Sequence, residues 1–438
     1  MNSSFYNGVA GIKTHQFGMD VWANNISNIN TTGYKSATPE FSTIFSQSIN
    51  NQYGVASTND IGLGSTQVAS TSDMSMGALI QTENKFDMAI DGKGFFGVLD
   101  GGGNTFYTRN GSFFKDANGD LVDSSGNYVL GQFAQNISNK TITNEDLGDI
   151  KLSSADSSSK INLPDKLTLP AQQTTVVKMQ GNLDSTPKYE YDENGQKHEV
   201  ANEEVYRSEL FRKDSGKNYL EVKFTKQVPQ GAVNVIWDAT ATVTDEDGNV
   251  LSTNSGVLTF DGTGALLSNT LNSVQSDDTD VKLDFGTPKD DTKSNGRDGL
   301  VSYNSDVDGK MITKDGHVSG ELVDYGVDSL GNIQAIFDNG KSVPIYKVMV
   351  FDFINEQGLK QTSPVYYQES SNSGKAKLLT DKDGNSVQTI TNRHLESSNV
   401  NLSTAMTELI VMQKAYEASS KSITTSDQMI QNAINMKK

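Results

Sequence analysis

The two ends of this chain carry the same seven-residue apolar period, and that period most narrows what the chain folds into. From Phe5 the pattern runs Phe5, Ile12, Met19 and Ile26, with Gly8, His15, Trp22 and Ile29 three places after each. This is helical spacing with a narrow seam. The stretch closes at Asn30-Thr31-Thr32-Gly33, where glycine takes the left-handed position that ends a helix. At the other end the period is stricter: Leu402, Leu409, Tyr416, Ile423 and Ile430, with Ala405, Met412, Ser419, Ser426 and Ala433 three places on. Small residues at alternate seam positions predict close helix approach, and Asn399 or Asn401 is positioned to cap the helix. A seam this narrow leaves an isolated helix marginal, because most helix stability comes from packing an apolar face. Each helix therefore needs a partner, and the opposite end of the chain is the obvious one. Spacing alone leaves open whether the seam joins the two ends of one subunit or many subunits in a polymer.

Between the ends helical periodicity is weak and turn chemistry is dense. Asp116-Ala117-Asn118-Gly119-Asp120, Asp245-Glu246-Asp247-Gly248-Asn249, Asp338-Asn339-Gly340 and Asp381-Lys382-Asp383-Gly384-Asn385 separate short apolar runs. Asn-Gly and Asp-Gly pairs there predict hairpins, since both residues tolerate the positive φ of a tight turn. With 39 glycines and 8 prolines in 438 residues, the expected fold is mainly β and multi-domain, since a chain this long exceeds one ordinary core. The terminal helices pair as a coiled coil, and the outer domains are barrel-like or sandwich-like. The expected division is a terminal helical domain of residues 1–35 plus 394–438, a flexible connector at 36–72, a β-rich middle domain of 73–182 plus 318–393, and a β-rich outer domain at 183–317.

A formal charge of −18 argues against nucleic acid and against anionic membrane, both of which reward clustered Lys and Arg. Most of the acidity lies in the middle, which suits ends that are packed away and a body that faces water. With no cysteine, disulfides, thiol catalysis and thiolate metal sites are excluded. The first residues lack a basic region followed by an apolar stretch, so any export would have to avoid the usual cleaved signal peptide. No stretch approaches a membrane span, so membrane insertion is not expected.

Gly92-Lys93-Gly94-Phe95-Phe96-Gly97 matches a dinucleotide fingerprint, with Asp116 downstream. That fingerprint works by opening a helix that receives the pyrophosphate, whereas Phe95-Phe96-Gly97-Val98-Leu99 reads on as a strand. His15, His198, His317 and His394 are scattered without metal-ligand spacing, and the aspartate-rich turns lack the Glu-terminated loop of a calcium site. No catalytic residue, cofactor or metal is assigned, and the chain is not expected to be an enzyme.

Asn24-Asn25-Ile26-Ser27-Asn28-Ile29-Asn30-Thr31-Thr32-Gly33-Tyr34-Lys35 closely resembles the N-terminal signature of the bacterial flagellar rod and hook axial proteins. Phe86–Phe96 followed by Tyr107-Thr108-Arg109-Asn110-Gly111-Ser112-Phe113 resembles the family's second block, and Leu395–Leu402, Ala415–Ala418 and Ile423–Met429 resemble its C-terminal helix. One departure is Lys414, where the family usually has Arg; lysine keeps the charge without the planar fork of donors. Rod members are generally shorter, and the long middle here, including Val257–Gly264 and Phe353–Leu359, resembles hook members. The resemblance implies a homopolymer forming a curved hollow tube outside the cell, a universal joint that passes torque from motor and rod to filament. It further implies contacts with the distal rod, hook cap and hook–filament junction proteins, and passage through the flagellar export apparatus. A distal rod subunit is the nearest alternative, and a secreted β-rich adhesin is one from a different class.

Overall fold

The computed structural model describes residues 3–44, 47–48, 60–61, 64–143, 150, 152, 158–193, 195–229, 233–290, 294–305, 307, 309–380, 387 and 389–436. Helix α1 spans Ser3–Ser27 and helix α2 spans Leu402–Asn435. They lie antiparallel: Gly8 meets Ile423 and Ser419, whereas Gly18 meets Met412. Asn401 is the cap of α2, its side chain accepting from the Thr404 backbone at 3.1 Å, which satisfies one of the orphan amides of the first turn. Because α2 is longer than α1, its C-terminal end runs on past the start of α1.

Two β bodies follow. In the first, Phe95–Leu99 lies between Tyr128–Phe133 and Thr105–Thr108 in a large mixed sheet that also holds Gly320–Val327, Asn332–Phe337 and Ser342–Val348. Its core gathers Met88, Ile90, Phe96, Val98, Phe113, Leu121, Val129, Ile333 and Ile345. An aromatic annex of Phe95, Tyr107, Phe351, Phe353 and Tyr367 packs beside it, in edge-to-face pairs that favour ring quadrupoles. The outer body sets a five-stranded antiparallel sheet, Glu203–Phe211 to Leu266–Asn269, against Val176–Asn182 and its neighbours. Along Lys217–Lys226 alternate residues point inward, so Leu220, Val222 and Phe224 join Trp237, Leu258 and Phe260 in one core. The barrel option fails: among the described residues both bodies are built from open sheets, and the outer one buries its apolar side by facing a second sheet rather than by closing on itself.

The turns differ from expectation in one respect. At Asp116–Asp120 and Asp245–Asn249 only the glycine has positive φ, with Gly119 and Gly248 both at 87°. The Asp245 amide donates to Asn249 O at 3.0 Å and the Gly248 amide to Asp245 O at 3.1 Å. This is a three-residue loop in which glycine forms the bulge, not a two-residue turn with two left-handed residues. The aspartate earns its place through its side chain: Asp245 Oδ1 accepts from the amides of Asp247 and Asn249 at 3.0 and 2.7 Å. Asp100, Asp123 and Asp328 repeat that pattern. The Asp381–Asn385 turn lies outside the described residues.

Residues 36–72, expected as a connector, contain an antiparallel pair of strands, Ala37–Thr43 with Ser65–Ser72, bulged between Glu40 and Phe41. This hairpin lies against α1, where Thr14 Oγ1 donates to Ser65 O at 3.1 Å.

Candidate assembly site

On α1 the fully buried positions are Gly8, Gly11, Thr14, Gly18 and Asn25, a stripe at helical spacing made of small and polar residues. A β-carbon at Gly8 would stand 2.7 Å from Ile423 Cγ1, at Gly11 2.6 Å from Ser419 Oγ, and at Gly18 2.9 Å from Met412 Sδ. The helices approach through glycine, and the large side chains flank that line. Among the expected seam residues, Ile12, Met19, Trp22, Ile26 and Ile29 are half-buried, and Phe5 is exposed. On α2, Leu409, Met412, Tyr416 and Ile423 are half-buried, while Leu402 and Ile430, at the two ends of the pattern, are exposed. Ala405 and Ser426 are the fully buried residues of that helix. Gly8 belongs to the expected period, whereas Gly11 and Gly18 lie outside it, and only their small size and helical spacing from Gly8 mark them as positions of close approach.

A second face of α2 points away from α1. Leu402, Met406 and Ile410, spaced four apart, are exposed, as is Val411. Where α2 overhangs α1, Met429, Ile430, Ile434 and Met436 are exposed as well. A stripe of this kind on a packed helix marks an interaction surface.

The signature residues fold the chain back from α1 toward the first β body. Asn25 is wholly buried; its Oδ1 accepts from the Tyr34 hydroxyl at 3.1 Å and the Ala37 amide at 2.9 Å, and its Nδ2 donates to Ala37 O at 2.7 Å. Asn24 Nδ2 donates to the Tyr34 hydroxyl, Asn28 Nδ2 to Asn24 O, and Thr31 Oγ1 to Asn28 Oδ1. Asn30 is exposed and Thr32 half-buried. Gly33, at φ 68°, donates to Glu396 O at 2.7 Å, and a side chain there would collide with the backbone of Arg109 and Asn110. Burial raises the Tyr34 hydroxyl above its ordinary pKa.

Beside Tyr34 stand three charged side chains to which sequence reading gave no role. Glu396 Oε1 accepts from Lys35 Nζ at 2.6 Å and from the Gly77 amide at 2.9 Å, and Oε2 accepts from Arg109 Nη1 at 3.3 Å. All three are at most 3% exposed. Lys35 also donates to Ser75 O at 2.6 Å, and Arg109 to Gly92 O at 2.7 Å. Burial pushes the Lys35 ammonium below its usual pKa, and the Glu396 carboxylate opposes that push.

The glycine run at Gly92–Gly97 leads into the buried Phe95–Leu99 strand, so it opens no helix to receive a phosphate. Among the described residues no cluster of His, Cys, Asp or Glu is arranged to hold a metal ion, and no helix is long and apolar enough to cross a membrane.

Three family models match in chain order. Residues 5–35 match "Flagella basal body rod protein", residues 89–183 match "Flagellar hook protein FlgE/F/G D1 domain", and residues 391–436 match "Flagellar basal body rod FlgEFG protein C-terminal". Over its whole length the chain is 29% identical to the flagellar hook protein FlgE of Treponema pallidum and 28% to that of Borreliella burgdorferi, covering 100% of each. This chain belongs to the flagellar hook protein family. Another hook-family relative, from Salmonella typhimurium, is 26% identical, with 99% of this chain and 100% of the relative covered. The fold is similar to that of the Helicobacter pylori flagellar hook protein FlgE2, at a TM-score of 0.52 and 15% identity, covering 73% of this chain and 100% of that one. The matched segments coincide with α1 and its turn, with part of the first β body and the Val176–Asn182 strand of the outer one, and with α2. The family is a structural one, and its members belong to the flagellum.

Proposed function

We propose that this hook-family chain is a structural subunit that polymerises into a curved hollow tube and works as a universal joint between the rod and the filament. The observation that carries this reading is the unpartnered apolar face of α2. One side of α2 is already packed on the glycine stripe of α1, yet Leu402, Met406 and Ile410 at one end and Met429, Ile430 and Ile434 at the other stay exposed. Fully burying each such side chain contributes roughly 1.5 to 3 kcal/mol. Two different patches on one molecule fit a head-to-tail contact between copies, and repeated head-to-tail contacts that do not close a ring generate a helical polymer.

In this reading the helical pair forms the inner wall, the middle domain of 73–182 plus 318–393 and the outer domain of 183–317 follow outward, with the Val176–Asn182 strand joining the outer one, and the acidic β bodies meet across wet contacts that slide. The half-buried seam holds each subunit's own ends together, and the exposed stripe joins neighbours. The distal rod, the hook cap and the hook–filament junction proteins then cap or continue the same tube, whose subunits arrive through the flagellar export apparatus.

Electron microscopy of the purified full-length chain after induced polymerisation tests this. The expected product is a curved hollow tube. A straight tube supports a rod subunit instead, and failure to assemble under conditions that polymerise a hook relative overturns the reading.

A further inference from the structure

We propose that the solvent face of the five-stranded sheet in the outer body is a binding site for an uncharged polysaccharide, with the Tyr219 ring as the platform on which one pyranose stacks. An open trough of about 500 Å3 crosses this face, lined by Arg207, Glu209, Tyr219, Glu221, Thr242 and Thr244. That volume falls inside the range of roughly 300 to 1,000 Å3 found for small-molecule sites. The strand register arranges the six residues in two rows at right angles to the strands, with Arg207, Glu221 and Thr242 in one and Glu209, Tyr219 and Thr244 in the other. Alternation along Lys217–Lys226 turns Tyr219 and Glu221 outward because Leu220 and Val222 are turned into the core. Strands in a sheet lie about 4.8 Å apart, so each row extends polar groups over about 10 Å across three strands, a course along which an extended chain can lie.

The charges of the trough select the ligand class. Arg207 Nε donates to Glu221 Oε2 at 2.7 Å, and Lys217 Nζ donates to Glu209 Oε1 at 3.2 Å. Each cation already has its carboxylate, so on a chain of net charge −18 this face offers neither an anion nor a cation an unpaired charge to meet. What remains is hydrogen-bonding capacity. The Arg207 Nη groups, Glu221 Oε1 and the hydroxyls of Tyr219, Thr242 and Thr244 have no protein partner among the described residues. A pyranose is the complement of that arrangement: its hydroxyls both give and take hydrogen bonds at the rim, and its C–H groups pack against an electron-rich ring. A protein partner instead needs a buried apolar anchor. Here Tyr219, 43% exposed, is the one aromatic ring, and Leu220, the one aliphatic lining residue, is fully buried in the core. The trough shares no residue with the exposed stripe on α2 that carries the assembly reading, so either proposal can fail alone.

Isothermal titration of the soluble full-length protein with cellohexaose and with chitohexaose tests this, the first standing for plain glucans and the second for the N-acetylated chains of cell walls, with heparin as the charged control. At least one hexaose is expected to bind saturably at up to millimolar concentration, and heparin is expected not to bind. Tyr219→Ala is expected to weaken the binding about tenfold by removing the stacking ring. Tyr219→Phe, which keeps the ring and loses one hydroxyl, is expected to stay within about threefold of the parent. Arg207→Ala, at a position 75% exposed, supplies a second weakened variant should Tyr219→Ala disturb the sheet, and unchanged far-ultraviolet circular dichroism identifies the variants that are folded. No binding of either hexaose, a folded Tyr219→Ala or Arg207→Ala with the affinity of the parent, or heparin binding as tight as that of the hexaoses overturns the proposal. Self-association that Tyr219→Ala abolishes, with no hexaose bound by the parent, overturns it too and assigns the trough to a second copy of the chain.

Discussion

Gly18 of α1 lies so close to Met412 of α2 that an added β-carbon would stand 2.9 Å from its sulfur and 3.3 Å from its Cγ. Two effects oppose each other at this position. Replacing a mid-helix glycine by alanine favours the helix by about 1 kcal/mol, while the methyl presses on the end of the flexible Met412 side chain and, at 3.3 Å, on Phe41 Cζ. Gly18→Ala is expected to be close to neutral in thermal unfolding. Gly18→Leu adds three further carbons and is expected to destabilise the helical pair by roughly 1 to 3 kcal/mol, read as lost helicity while both β bodies stay folded.

Leu409 and Ile410 are neighbours on α2 that point in different directions: Leu409 is half-buried and Ile410 is 55% exposed. A charge on the inward side forfeits part of the roughly 1.5 to 3 kcal/mol that full apolar burial contributes and adds a partly desolvated carboxylate. Leu409→Asp is expected to abolish both helix pairing and polymerisation. Ile410→Asp is expected to leave the far-ultraviolet circular dichroism of the monomer unchanged and to remove polymerisation alone. Sedimentation of assembled material checks both, and normal tubes from Ile410→Asp would remove the exposed stripe from the assembly contact.

How far the sequence could be read follows from the range of each interaction. The helices at Phe5–Ile29 and Leu402–Ile430 were legible because a period of seven is local, and the β middle was legible because its turns are written in consecutive residues. Which residue carries the close approach was not, since Phe5 and Ile12 look like core and Gly11 looks like nothing until Ser419 is placed against it. The buried ion pairs of Glu396 left no trace in spacing, because its partners at positions 35 and 109 come together only through the complete fold. Lys35 and Arg109 both sit inside the segments that resemble the family, but a resemblance marks positions and does not say that they touch.

Asp245 illustrates a turn device with a pH signature. Its carboxylate is held below the usual aspartate value of 3.8 by the Asn249 side chain, then by the amides of Asn249, Asp247 and Gly248. A folded-state pKa lower than the unfolded one adds stability that is fully present above the unfolded value and is lost as pH falls through the folded value. Asp245→Asn keeps an acceptor oxygen without the charge. The melting temperature of the variant is expected to lie below that of the parent at neutral pH, with the gap narrowing as acid is added below 3.8. A gap that stays constant through that range would show that the charge at Asp245 contributes nothing.

In the outer body, the buried Trp237 indole donates to Ser302 Oγ at 3.0 Å, and that hydroxyl donates onward to Leu183 O at 3.0 Å. One hydroxyl therefore satisfies a tryptophan N–H and a backbone carbonyl inside the core formed by Tyr206, Phe224 and Phe260. Ser302→Ala removes a single oxygen and leaves the indole donor without this partner in an apolar interior, a loss worth about 1 to 3 kcal/mol. The chain has two tryptophans, and Trp22 lies on α1, so a Trp22→Phe background makes emission a probe of the outer body alone. Ser302→Ala in that background is expected to shift the fluorescence-detected urea midpoint downward while the polymer still assembles, because the proposed assembly surface is on α2. Ser302→Cys, which retains a weak donor and acceptor, is expected to fall between the two, and a midpoint for Ser302→Ala equal to the parent's would mean that the relay holds no net stability.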